Sequence, residues 1–426
     1  MPARNEFRTL VEETASRATS NGVPLDRLHG TAFLDMSRDA QITALPSFEK
    51  ALQAIISVPD FVTRFGAQEA RRAVLQFVYQ YFTRADNIRY EEAAFESLWE
   101  DFTAEVQDPR WVTRGLANVR NFASNSFHLD LGDGIVIKGR NFDDLASLGF
   151  VSTILERLSE DWSGFGASSF VLVVEHSVPK QPGNIITLES GEVLAKAIRA
   201  VGALRLADGG SVSIGRMWVV RTARFNFGIG GLQSVGVSIP GIGSQYVWSD
   251  KAARLFPQIY SELAQLEREG YGRSPGNLAV ALRAFMATYD RWPLLGDSQL
   301  LDSVTALEAL LGTETEISFK LAFRVAALLA ENDSKRAELL KLVMGFYDTR
   351  SRLVHGGQLK EKHQLYLTKI EDLRVLVRRL LRSFVTFAAT PPETYDRRFF
   401  AEQLDPALVD AAEREKLRTA LGLDRD

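Results

Sequence analysis

The 426-residue chain contains no cysteine. That removes disulfide staples, thiolate metal sites and a cysteine nucleophile together. Long apolar runs are missing too. Stretches such as Phe170–Val174 span a handful of residues, far short of the roughly 18 or more that a membrane-crossing helix needs. The N-terminus, MPARNEFRTLVEE, carries charges where a secretory signal would hold its apolar segment. The expectation is a cytoplasmic protein with no membrane partner. Charge of one sign is scarce: the formal net charge is −4, so no global field draws the chain onto nucleic acid, and RNA contact must come from a local patch. Familiar catalytic signatures are absent as well. The chain has no GxSxG, no HExxH and no GxxxxGK followed by Ser or Thr, and Val136-Ile137-Lys138 stands where a nuclease-type E-x-K would follow a strand.

What is there is the balance of a globular protein, 46% hydrophobic and 24% charged residues, at a length that suggests two or three compact units. Residues 1 to about 45 show weak periodicity, and TSNGVPLDRLHG reads as turn and loop. Ser47 is the expected cap of a helix with Phe48, Leu52, Ile55 and Ile56 on one face, ended by Pro59. Further helices are expected from about Ala67 to Thr83 and from Tyr90 to about Glu105. Near residue 126 the character changes: SFHLDLGDGIVIKGR alternates on both sides of Gly132-Asp133-Gly134, a hairpin signal. A helix over Phe150–Ser159, a strand in SSFVLVVEH, a helix over Glu192–Ala203 and strands between Val212 and Trp248 complete a mixed region. The glycines at 228, 230, 231, 236, 241 and 243 have hairpin-like spacing, with no helix start close behind them to make a phosphate loop. From Ser249 β signal disappears, GYGRSPG reads as a linker, and helix follows helix to Pro391. The expected architecture is multidomain α+β: a helical N-terminal region (1–115), an α+β domain serving as sensor or regulator (116–250), an all-α bundle (251–395), and a charged C-terminal helix with a frayed end (396–426).

Of five histidines, His29, His128, His176 and His363 read as structural or exposed. His355 lies in FYDTRSRLVHGG, with Arg350 five residues before it. That spacing alone carries little, because arginine far outnumbers lysine here and such pairs arise by chance. The flanking residues carry more. Ala281-Leu282-Arg283-Ala284-Phe285, the stretch Asp302–Leu311 with a buried Leu307-Glu308 pair, Phe323-Arg324-Val325-Ala326, and Tyr347 through Gly356 occur in order across residues 277 to 390. In that order they resemble the Apea-like branch of the HEPN superfamily.

The resemblance implies a helical bundle that dimerises and cuts RNA without a metal or other cofactor, in phage defence or toxin-like abortive infection, with a phage-derived trigger or partner protein. It implies Arg350 and His355 as the catalytic pair, and Tyr347, Asp348, Ser351 and Arg352 as substrate contacts. It leaves open an inactive module used for RNA binding, protein binding or dimerisation. The residue chemistry agrees with the first reading. Cleavage through RNA's own 2′-hydroxyl needs a base, an acid and positive charge against the phosphorane; histidine supplies proton transfer and arginine a planar fork for phosphate oxygens. On a straight helix the two side chains would point about 140° apart. Convergence therefore requires either a bend at Gly356-Gly357 or a two-fold dimer. From Arg350 to Arg398 there are eleven Lys and Arg against five Asp and Glu. Arg374, Arg378 and Arg382 recur every four residues, either as a solvated face or as an RNA contact. The expected core residues of the bundle are Ala306, Leu307, Leu310, Phe323, Val325, Leu328, Phe346 and Leu353, in five or so helices.

Overall fold

The computed structural model describes residues 2–21, 36–139, 169–182, 189–225, 227, 233–235, 243–271, 277–291, 296–312, 317–389 and 404–423. Helices occupy the N-terminal quarter: α1 (Arg4–Ser20), α2 (Met36–Thr43), α3 (Pro46–Ile56), α4 (Pro59–Phe65), α5 (Ala70–Ala85) and α6 (Glu92–Gln107). The weak periodicity before residue 45 hides a 17-residue helix, α1. Its buried stripe of Phe7, Leu10, Val11, Thr14, Ala15 and Ala18 is half small or polar residues, so its hydrophobic contrast is low. Most of TSNGVPLDRLHG and all of residues 22–35 lie outside the described residues. Ser47 does not cap α3. Pro46 takes the first helical position, Leu45 is the N-cap, and the Ser47 hydroxyl donates to Glu13 of α1. The rings of Phe7, Phe77, Trp99 and Phe102 meet in this core, joined by Phe225 and Phe227 from the mixed region.

The sheet begins earlier than the sequence suggests. Strand β1 (Arg110–Arg120) crosses residue 115, so the change from helix to sheet falls near Pro109. Its residues are buried on both faces over most of its length, which erases the alternation that would have announced it. β2 (Phe122–Ala123), β3 (His128–Gly132), β4 (Ile135–Gly139), β5 (Phe170–Pro179), β6 (Ser213–Ile214), β7 (Met217–Thr222), β8 (Gln233–Val235) and β9 (Tyr246–Val247) follow. The main sheet runs β3-β4-β5-β1-β7-β8 with antiparallel neighbours, β6 also pairs with β1, and β2 pairs with β9 in a small parallel ladder. The expected hairpin is present, and Asp133 and Gly134 both take positive φ, as a two-residue hairpin turn requires. The expected helix at 150–159 and the glycines at 228, 230, 231, 236 and 241 lie outside the described residues.

α7 (Ser190–Ala207) crosses this sheet so closely that a Cβ on Gly115 would stand 2.4 Å from Val193 Cγ1. α8 (Asp250–Glu269), capped by the Ser249 hydroxyl, packs on α7. The bundle follows as α9 (Leu278–Asp290), α10 (Gly296–Leu311), α11 (Ile317–Leu329), α12 (Asp333–Val354), α13 (Glu361–Thr368) and α14 (Ile370–Ala388). Ala306, Leu307, Leu310, Val325, Leu328 and Phe346 are buried as expected, whereas Phe323 and Leu353 are only half-buried. The expected C-terminal helix is present, and the frayed end expected beyond it, at residues 424–426, lies outside the described residues. α15 (Pro406–Val409) and α16 (Ala411–Ala420) place Leu404, Ala407, Leu417, Leu421 and Leu423 in the same core. Arg324 pairs with Asp405, and Arg418 donates to the carbonyls of Leu328 and Ala330. Sheet, α7, α8 and bundle thus share one hydrophobic core, distinct from the N-terminal aromatic one. No helix among the described residues is long and apolar enough to cross a membrane.

Candidate functional site

The residues singled out around position 350 all ride on the last turns of α12. Asn332 starts this helix by accepting the Lys335 N–H on its side chain at 2.9 Å. The helix runs unbroken to Val354, and His355 is its C-cap. Gly356 then takes φ +67°; its N–H reaches the Leu353 carbonyl at 3.4 Å, and the Gly357 N–H reaches that of Arg352 at 2.8 Å. These two bonds form a Schellman stop, for which glycine at Gly356 is the unstrained choice. The bend therefore comes after His355, too late to turn it toward Arg350.

The structure divides the six residues between two faces and an end. Tyr347 and Arg350, three apart, face α10. Arg350 Nη2 lies 3.4 Å from Glu308 Oε2, and its Cζ stands 5.8 Å from the Tyr347 ring centroid. Burial, and then the charge of Glu308, raises the pKa of the Tyr347 hydroxyl. The Arg350 Nε is buried with no partner among the described residues, so half of its bidentate edge is unused there. Asp348 and Arg352, four apart, face α13. Ser351 is half-buried between these faces. His355 stands exposed at the helix end, and its ring makes no hydrogen bond among the described residues. Within one chain, Arg350 and His355 are not joined.

A second histidine, read from sequence as exposed or merely structural on a polar stretch, is built into this motif. His363 is fully buried. Its Nδ1 accepts the Lys360 N–H at 3.0 Å, which leaves Nε2 to carry the ring proton and donate to Asp348 Oδ2, also at 3.0 Å. Lys362 adds a 3.2 Å contact to the same carboxylate oxygen, and Arg352 Nε lies 3.6 Å from the other. The His363 hydrogen bond is the main cause of the lowered pKa of Asp348. Nothing near His363 in the sequence announces this. The short helix α13 folds back on α12 because Gly345 lets Tyr366 approach: a Cβ there would stand 1.9 Å from Tyr366 Cζ. Glu308 was visible in the sequence, though as half of a buried pair; Leu307 is buried but Glu308 is half-exposed and faces Arg350.

The arginine stripe is also not what its spacing suggested. Arg374 and Arg378 are neither solvated nor available to RNA. Both are buried against α9, while Arg382 is half-buried. The local positive patch is correspondingly smaller. Among the described residues no group of three or more His, Asp or Glu is placed to hold a metal ion. Comparison of the chain with protein-family models, with curated proteins and with solved structures finds no match.

Proposed function

We propose that the bundle is a HEPN module of the Apea-like kind, and that two copies form a metal-independent endoribonuclease whose site combines Arg350 of one chain with His355 of the other. The observation that carries this reading is the end of α12. A Schellman stop holds an exposed, unpaired histidine at the helix terminus, one and a half turns after an arginine with an unsatisfied Nε. A 2′-hydroxyl attack needs a free imidazole for proton transfer and a guanidinium edge for the phosphorane. Exposed apolar side chains on α12 and α13 (Met344, Val354 and Leu365) offer a surface for a second copy. The middle α+β region then serves as sensor, with a phage-derived trigger and a role in abortive infection as the implied setting.

The Arg350–Glu308 contact favours a second reading. An arginine held by its own chain is drawn away from a phosphate, which suits a module that binds or regulates, by RNA contact or dimerisation, without cutting.

Incubating the purified protein with RNA in the presence of EDTA separates the two. Cleavage leaving 2′,3′-cyclic phosphate ends, reduced by about two orders of magnitude or more in Arg350→Ala and in His355→Ala, supports the nuclease. Losses in the double variant should not multiply, and Arg352→Ala should cost far less. 3′-Hydroxyl products or a fully active His355→Ala protein would sink it. Mass photometry at micromolar concentration tests the dimer: a monomer that retains activity removes the two-chain site.

A further inference from the structure

Three arginines that the proposed nuclease does not use are gathered around one ring. Tyr289, at the end of α9, is buried. The Arg374 guanidinium lies over it, with Cζ 3.9 Å from the ring centroid, and Arg205 of α7 approaches at 4.5 Å. The Tyr289 hydroxyl accepts from Arg378 Nη2 at 3.1 Å. Three guanidinium groups, from residues only 2%, 4% and 7% exposed, therefore meet where the middle region joins the bundle.

Two of them are well supplied. Arg205 gives Nε to the Val212 carbonyl and forms a bidentate pair with Asp290 at 2.9 and 2.6 Å. Arg378 gives Nε to the Arg205 carbonyl and Nη2 to Tyr289 and, at 3.4 Å, to Glu371. Arg374 is different. Its face is taken by Tyr289 and its Nη1 by Glu371 at 2.7 Å, but Nε and Nη2 are buried without a partner among the described residues. Those two nitrogens form the parallel edge that binds two oxygens of one anion. The Tyr246 hydroxyl of β9, within electrostatic reach of Arg378 and Tyr289, is likewise buried and unpartnered.

Charge decides between water and an ion. Among the described residues three cations here face two carboxylates, Asp290 and Glu371, and both of these are partly exposed. Asp208, the other acid near Tyr246, is bonded by Ser249 and faces Lys251. A water would satisfy donors but leave one buried positive charge uncompensated, which is costly. A monoanion with two oxygens on one side satisfies both demands.

We infer that the free Nε–Nη2 edge of Arg374, in the arginine cluster around Tyr289, is a buried binding site for an oxyanion, a phosphate or carboxylate group. The bound anion neutralises the cluster through which α7 of the middle region meets α9 and α14 of the bundle. This inference is independent of any nuclease activity.

The test uses the full-length protein. Natively purified protein is denatured and the released anions are quantified. Melting is compared in inorganic phosphate, acetate and chloride at equal ionic strength, for wild type, Arg374→Gln and Arg374→Lys. The expected result is either about one equivalent of released oxyanion or a melting temperature raised by about 2 °C or more in phosphate or acetate, with phosphate and acetate separating the two chemistries. Arg374→Gln should lose the effect and Arg374→Lys should keep part of it. An equal rise in Arg374→Gln would mark general salt exclusion and overturn the site. So would a wild type that releases no oxyanion and melts alike in all three salts. Should Arg374→Gln not fold, the release measurement on wild type and Arg374→Lys decides.

Discussion

The N-terminal helices and the C-terminal bundle are both all-helical, yet their interiors differ in kind. The first is an aromatic core, where Phe7, Phe77, Trp99 and Phe102 pack edge to face or tilted. Its notable buried charge is Glu105 of α6, which binds Lys180 from the neighbouring sheet region at 2.6 Å. The second is largely aliphatic but threaded with buried arginines. Arg324 and Arg418 reach backbone carbonyls at helix ends, and Arg374 and Arg378 surround Tyr289. Apolar packing needs no partner and tolerates small shifts. A buried guanidinium needs its acceptors in place and is expensive when it loses them. The N-terminal region is built to be stable. The bundle carries polar commitments that make sense at a site, a joint or a switch.

The largest expected effect comes from cutting into the aromatic core. Phe102→Ala removes a fully buried ring that touches five others. The loss should be about 3–5 kcal/mol, as for other large aromatic deletions. If the two cores are separate units, hydrogen exchange in this variant should accelerate across α1–α6 and stay near wild type along α12. Equal acceleration in α12 would break the distinction and make the chain one cooperative unit.

What the sequence made legible follows the same division. Periodicity reveals helices whose buried face is strongly apolar, such as α5 and α14, and it found the β3–β4 hairpin through its turn residues. It missed α1, whose stripe is diluted by Ala and Thr, and β1, whose double-sided burial leaves no alternation. A charged C-terminal helix was legible but its place in the core was not, because its few leucines are spread thinly; Leu404, Leu417, Leu421 and Leu423 all reach that core. At the candidate site, Arg350, His355 and the glycine stop were visible because they lie within one short stretch of sequence. Glu308 facing Arg350, and His363 bound to Asp348, are products of helix packing. Arg374 and Arg378 looked like surface charge because spacing reports a face of a helix and says nothing of what covers it.

An intermediate effect is expected where the bundle depends on close approach. Gly345 sits on α12 against the Tyr366 ring, which also packs edge-on to Phe346 at 5.3 Å. Gly345→Ala must push Tyr366 or α13 away, at about 1–3 kcal/mol for overpacking. The displacement should loosen the His363–Asp348 bond, while Thr349 and the rest of α12 keep their helix. Adding Tyr366→Leu should recover much of the loss, because the clash is with the ring itself. Denaturant titration of the single and double variants measures both terms. Two losses that simply add would show that the ring and the glycine do not meet.

The smallest effect, and the finest probe of the polar bundle, is acid dependence at Asp348. Its folded pKa is lowered, first by the His363 hydrogen bond and then by Lys362 and Arg352. A depressed carboxylate contributes stability that is fully present above its unfolded pKa of about 3.9 and is lost as pH falls through the folded value. Asp348→Asn removes the charge but keeps an oxygen that can accept from His363 Nε2. Wild type should therefore exceed Asp348→Asn in stability near neutral pH, and the gap should close as pH drops below about 4. Asp348 is 43% exposed in its side chain, so solvent screens the interaction and the gap should stay at or below about 1 kcal/mol. His363→Gln should shrink it further, because the hydrogen bond that chiefly depresses the pKa is then weakened. Denaturation curves at neutral and acid pH read this directly. A gap that is constant with pH would mean that the Asp348 charge does not tie α13 to α12, and that the Gly345–Tyr366 contact does so alone.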